Sequence, residues 1–254
     1  MSPPGLAAVI FDVDGTLAET ERDGHRVAFN LAFREHGLDW HWDEPLYGEL
    51  LQVTGGKERL AAYIRRYRPQ LAHSRGTRAL ILDIHRTKTR HFVCIVEQGQ
   101  IGLRPGIAEL LAELRAADIR LAIATTTSPE NVTALITSTL GRDACGWFGV
   151  IGAGDVVQSK KPDPAIYHWV LERLGLPSYT CLAIEDSHNG LVAAQAAKIR
   201  VLITRSFYCS AEDFRGAAAV IDNFDGTSDL EATRNGLIGP VNVEQLRCWH
   251  HHAR

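Results

Sequence analysis

A chain of 254 residues that is 45% hydrophobic and 22% charged has enough apolar side chain for one large domain or two modest ones. Its formal net charge of -3 provides no global basic surface, so nucleic acid and anionic membrane are not expected partners and any anion site must be local. The five cysteines, Cys94, Cys145, Cys181, Cys209 and Cys248, form no C-x-x-C pair, which points to reduced structural thiols in a cytoplasmic protein.

The N-terminus has no basic n-region, and the apolar run Leu6 to Phe11 is too short for a signal segment or a membrane span. Ala7 to Asp12 reads instead as a strand buried on both faces that ends in carboxylates. From Glu21 to Gly99 the pattern is helical, with segments near Glu21 to His36, Glu44 to Leu51, Lys57 to Tyr67 and Thr77 to Val96. No strand interrupts them, so residues 19–99 are expected to form an inserted all-helical cap domain, bounded by Glu19 and the turn Leu103-Arg104-Pro105-Gly106.

Beyond the cap, short apolar runs alternate with helical ones. Helices are predicted at Gly106 to Ala117, at Pro129 to Leu140 with Ser128 as its cap, and at Pro164 to Leu174 with Gly175 as its stop. Strands are predicted at Arg120 to Ala124, Gly149 to Gly152, Cys181 to Glu185 and Arg200 to Ile203. Such alternation predicts an α/β fold with a Rossmann-like, mainly parallel sheet core built from residues 1–18 and 100–254. The closing run with His250, His251 and His252 is expected to be a solvated tail rather than a metal site.

Chemistry gathers at the predicted strand ends. Asp12 and Asp14, at i and i+2, share one site only if the chain leaves the strand between them, and Gly15 permits that turn. Acids at a strand end also attract Mg²⁺, which takes oxygen ligands. Thr125, Thr126, Thr127 and Ser128 follow one strand and precede a helix, where hydroxyls and free backbone N–H groups cradle phosphoryl oxygens or simply cap the helix. One ammonium of Lys160-Lys161, held in a Pro-bounded turn, can offset repulsion between an anionic nucleophile and its substrate. Glu185-Asp186-Ser187 supplies a second acidic strand end, leading through Gly190 into a helix.

Acid, hydroxyl, lysine and acid thus appear in order, each just after a strand of a parallel sheet, where such sheets bind ligands. In this arrangement the sequence resembles the haloacid-dehalogenase superfamily of hydrolases, whose four motifs match Asp12-Val13-Asp14-Gly15-Thr16, Thr125, Lys161-Pro162 and Glu185-Asp186. The helical insertion after the first motif looks like the family's four-helix cap, and the string from Phe11 to Arg26 is similar to the CbbY group. That resemblance implies a Mg²⁺-dependent phosphatase working through an aspartyl phosphate and acting on xylulose-1,5-bisphosphate, an inhibitor of Rubisco. Asp12 would be the nucleophile, Asp14 the acid and base, Thr125 and Lys161 the phosphoryl ligands. The metal would be held by the Asp12 carboxylate, the Asp14 carbonyl and Asp186. The run of threonines leaves Thr126 as a possible substitute for Thr125.

Substrate choice is expected from the cap. Glu19 sits at the hinge within reach of a sugar hydroxyl, while Gly55, Gly56, Lys57 and Arg59 resemble a specificity loop able to receive a second phosphate. Trp40 and Trp42 either line the pocket or pack within the cap. A phosphoglycolate phosphatase shares this design. So does a phosphomutase, although the β-phosphoglucomutases carry a cap histidine where this sequence has Gly24, with His25 one position further on. A receiver-type phosphoacceptor module uses similar groups but lacks a helical insertion after its first strand.

Overall fold

The computed structural model describes residues 5–226 and 239–251. Among the described residues, six strands form one parallel sheet: β1 (Ala8–Phe11), β2 (Arg120–Ala124), β3 (Phe148–Gly152), β4 (Cys181–Glu185), β5 (Arg200–Thr204) and β6 (Ala219–Ile221). Their order is β3-β2-β1-β4-β5-β6, so β1 lies at the centre, flanked by β2 and β4. The predicted α/β core with a Rossmann-like parallel sheet is therefore the observed one.

Alternation along each strand divides the core into two layers. Val9 and Phe11 of β1, with Leu121, Ile123, Leu182 and Ile184, face one apolar cluster. Ala8 and Ile10, with Ala122, Ala183, Val201 and Ile203, face the other. Both faces are covered, which is why these strands read as continuous apolar runs. On the first face lie α6 (Ile107–Ala116), α7 (Pro129–Leu140) and α10 (Val243–His251). Helices α8 (Ala165–Leu174) and α9 (His188–Ala196) cover the second.

Between β1 and β2 the chain is helical: a π-helical turn at Glu21–His25, then α1 (Arg26–Glu35), α2 (Glu44–Leu50), α3 (Gly56–Tyr67), α4 (Pro69–Ala72) and α5 (Thr77–Glu97). These helices enclose their own apolar cluster around Phe29, Phe33, Trp40, Trp42, Tyr47, Leu60 and Tyr63. Trp42 is fully buried, with its ring 4.6 Å from Phe29 and 4.9 Å from Phe33, and its backbone exchanges two 2.8 Å hydrogen bonds with the Asn30 amide. The two tryptophans thus pack within the cap. The lower end of α5 departs from this cluster, because Phe92, Ile95 and Val96 pack with the sheet's residues.

Two expectations are corrected, and one element is new. The C-terminal segment is not a solvated tail up to His251: Val243, Leu246 and Trp249 bury α10 against the sheet layer, and His250 is buried with Nε2 2.9 Å from the Tyr179 carbonyl. His252 lies outside the described residues. Ser128 precedes α7, but its hydroxyl makes no cap hydrogen bond. The short strand β6 was not anticipated, since three residues are too few to show a period.

Candidate active site

The end of β1 holds the first acid in place through its own backbone: Asp12 N donates to Ile184 O at 2.9 Å, extending the ladder with β4 by one residue. The chain then turns. Gly15 N donates to Ala18 O at 2.8 Å and Leu17 N to Val13 O at 2.9 Å, and Gly15 adopts a positive φ of 82°. A Cβ at Gly15 would overlap the Asp186 carboxylate, so the glycine serves both the turn and the close approach of the second acidic strand end.

Lys161 is the centre of the buried cluster. Its Nζ donates to Asp12 Oδ1 at 2.7 Å, to Ala124 O at 2.8 Å and to Glu185 Oε1 at 2.6 Å, thereby linking the ends of β1, β2 and β4. The Tyr167 hydroxyl donates to the same Glu185 oxygen. Lys160 points elsewhere, to Gly154 O at 2.7 Å and Asp155 Oδ1 at 2.9 Å. Burial, followed by the Glu185 and Asp14 charges, outweighs Lys161 and pushes the Asp12 carboxyl up to about 8. Burial and the Asp12 charge likewise hold Asp186 well above the usual carboxylate range. Although burial opposes its charge, Asp12 and Glu185 keep Lys161 above the ordinary lysine value.

Asp12, Glu185 and Asp186 offer carboxylate oxygens within 4.8 Å of one another. Three buried acids whose oxygens converge form a donor set that a hard divalent cation satisfies. The Asp14 side chain is not among them. Its Oδ1 accepts from Thr20 Oγ1 at 2.6 Å and lies 2.8 Å from His25 Nε2. Burial alone would raise the Asp14 carboxyl, yet His25 and Thr20 hold it well below the usual range. Lys88 Nζ donates to His25 Nδ1 at 2.8 Å, so the imidazole presents an N–H toward Asp14.

This contact removes the apparent one-residue mismatch of the cap histidine. The π-helical turn at Glu21–His25 inserts one extra residue per turn, and it brings His25, not Gly24, to the acid. Gly24 lies against Phe92, where a Cβ would come within 2.8 Å of the ring.

Thr125 is buried, with its N–H on Gly152 O at 2.9 Å, and both Thr125 and Thr126 line the pocket above Asp12. Thr127 lies beyond it and accepts from Asn131 Nδ2 at 2.9 Å. The pocket lies between the sheet edge and the cap, walled also by Glu19, Glu21, Gln52, Thr54, Arg59 and Asn189.

Among the expected cap residues, Glu19 accepts from Arg104 Nη1 at 3.1 Å and from Phe207 N at 3.2 Å at the rim of the pocket. Arg59 is buried and donates to the Tyr47 hydroxyl at 2.9 Å, while that hydroxyl donates to Glu21 at 2.5 Å. Gly55 and Gly56 open α3 and border a smaller chamber beside Asp14, Arg59 and Lys88. Lys57 is a correction. It ion-pairs with Asp155 of the core across a separate groove between cap and core whose lining lacks Asp12, so it is not placed to receive a phosphate in the pocket. On α3 it lies two residues from Arg59, about 200° around the helix, and one face cannot carry both.

Tyr47, Glu21, Thr20, Lys88, Tyr167 and Asn189 were not singled out from the sequence. Tyr47 and Lys88 sit on helices as ordinary members of mixed patterns, and only tertiary packing turns them inward. Asn189 crosses from α9 to the cap, donating to Thr54 Oγ1 at 3.1 Å.

Residues 6–198 match the family model of haloacid dehalogenase-like hydrolases. The chain is 49% identical over 233 residues to Protein CbbY of Cereibacter sphaeroides, spanning 90% of this chain and 98% of that protein. It is 47% identical over 248 residues to the plasmid-encoded Protein CbbY of Cupriavidus necator, spanning 97% of each. The crystal structure of CbbY from Rhodobacter sphaeroides in complex with phosphate superposes with a TM-score of 0.79 at 49% identity, covering 86% of this chain and 94% of that one. A mutant of the same protein, in complex with xylulose-1,5-bisphosphate, gives the same figures.

Proposed function

The chain belongs to the haloacid dehalogenase-like hydrolases and is a phosphatase, and from that premise we propose that it hydrolyses xylulose-1,5-bisphosphate through an aspartyl phosphate, relieving inhibition of Rubisco. The observation that carries the mechanism is the 2.7 Å contact between Lys161 Nζ and Asp12 Oδ1 at the floor of a cap-covered pocket. The substrate is inferred from the half-identical relative whose structure holds that bisphosphate.

In this reading residues 19–99 are the cap and residues 1–18 with 100–254 the core. An Asp12 carboxylate oxygen attacks phosphorus as the bond to the sugar oxygen breaks. Asp14 delivers a proton to that departing oxygen, then takes one from the water that attacks the acyl phosphate and frees inorganic phosphate. Lys161 and Thr125 bind the phosphoryl oxygens, with Thr126 beside them. Glu19, Arg59, Gly55 and Gly56 hold the rest of the sugar. Mg²⁺, held by the Asp12 carboxylate, the Asp14 carbonyl and Asp186, would neutralise charge on the phosphoryl oxygens when bound.

Phosphate release from xylulose-1,5-bisphosphate, ribulose-1,5-bisphosphate, phosphoglycolate and hexose phosphates tests the substrate. Preference for the first supports the reading, and equal rates on all of them replace it with a generalist. Asp12→Asn and chelation of Mg²⁺ are each expected to abolish turnover, and retained activity in Asp12→Asn overturns the mechanism.

One observation favours a second reading. Because His25 reaches Asp14, the sequence offset no longer argues against a phosphomutase. Supplying a hexose-1-phosphate with and without a bisphosphate activator separates the two: free phosphate marks hydrolysis, an isomeric phosphosugar the mutase.

A further inference from the structure

Glu185 and Tyr167 form a buried pair beside Lys161. Glu185 is fully buried, and both hydrogen bonds to its carboxylate fall on one oxygen, Oε1, from Lys161 at 2.6 Å and from the Tyr167 hydroxyl. The other oxygen, Oε2, has no partner among the described residues. It lies against Gly190, where a Cβ would overlap the carboxylate. Tyr167 is itself fully buried on α8, the helix that begins four residues after Lys161, with its ring 5.5 Å from the Lys161 ammonium.

We propose that Tyr167 is a positioning residue for the phosphoryl-binding lysine, acting through Glu185. The inference rests on the reading of Lys161 as a phosphoryl ligand. An ammonium has three hydrogens, and here they are divided among Asp12, Ala124 O and Glu185. When a phosphoryl group arrives, one of them must turn to it while the others keep the nitrogen in place. A buried carboxylate with a single donor would draw that donor toward itself, since an unsatisfied buried charge is costly. The tyrosine hydroxyl supplies the second donor to the same oxygen. Glu185 is thereby held against Gly190, and Lys161 stays shared between it and Asp12 instead of withdrawing from the nucleophile.

Packing alone does not account for this arrangement. A phenylalanine at 167 would fill the same volume, and only the hydroxyl reaches Glu185. Its effect is therefore separable from the ring's contribution to the core.

Steady-state kinetics of Tyr167→Phe test the proposal, with Tm measured in parallel and Glu185→Gln and the double variant made alongside. The expected result is a fall in kcat of about tenfold with KM within about twofold of wild type, because the lysine is misplaced for the transition state more than for binding. In the Glu185→Gln background, where no buried charge needs the second donor, adding Tyr167→Phe is expected to cost less than about twofold. Unchanged kcat in Tyr167→Phe, or losses that multiply in the double variant, overturn the proposal. Asp12→Asn in the same assay separates the two claims: if it retains activity, the aspartyl-phosphate reading fails, whatever Tyr167 does.

Discussion

His25 Nε2 lies 2.8 Å from Asp14 Oδ1, and the two residues are joined across the hinge by one π-helical turn. The imidazole thus orients the proposed acid without being positioned over the nucleophile, and Lys88 sets its tautomer from behind. Replacing it should leave the fold and the nucleophile intact but let the Asp14 carboxylate rotate. His25→Ala is expected to lower kcat about tenfold, less than the hundredfold or more typical of losing a proton-transfer group itself. Rates equal to wild type on the best substrate would show that Thr20 alone suffices to hold Asp14.

Lys57 and Arg59 are expected to behave differently although both were candidates for a second phosphate. Lys57 pairs with Asp155 at the surface, an exposed ion pair worth about 0.5 kcal/mol, whereas Arg59 is buried in the pocket wall. Lys57→Met should therefore leave KM for a bisphosphate within about twofold, while Arg59→Lys should raise it about tenfold by losing the planar fork. A large KM effect at Lys57 would restore it to the substrate site.

Gly15→Ala tests the joint between the two acidic strand ends. A left-handed backbone costs an L side chain about 1 kcal/mol, and the new Cβ would also displace the Asp186 carboxylate. Turnover is expected to be lost. Wild type should gain thermal stability on adding Mg²⁺, and the variant should not. If Mg²⁺ raises Tm equally in both proteins, the cation does not depend on Asp186.

Stability should fall on mild acidification because of His85. Burial first, then the charges of Lys88 and Lys57, holds its imidazole down to about 3. Between the ordinary histidine value and that depressed one, the unfolded chain takes up a proton that the native state refuses, so stability declines as pH drops through this window. By about pH 5.5 the loss amounts to about 1 kcal/mol. Urea unfolding of wild type and His85→Gln at about pH 7.5 and about pH 5.5 reads it directly: the variant should lose less stability between the two conditions. Equal losses would assign the acid sensitivity to other groups.

Much of the architecture was legible because parallel strands buried on both faces leave continuous apolar runs, as in Ala8–Phe11 and Cys181–Glu185. Since all parallel strands end on one edge of the sheet, the order of Asp12, Thr125, Lys161 and Glu185-Asp186 was enough to bring these residues to one place. Helix periodicity similarly marked the insertion between β1 and β2. What only the tertiary structure decided was the partner of each long or pivoting side chain. A π-helical turn, which no residue type announces, carried His25 to Asp14. The path of α3 sent Lys57 outward to Asp155 and Arg59 inward to Tyr47. Packing of α8 on the sheet placed the Tyr167 hydroxyl on Glu185. Periodicity reports which face of an element is buried, but a hydrogen bond between residues far apart in the chain depends on which element packs opposite, and that is settled only when the whole core closes.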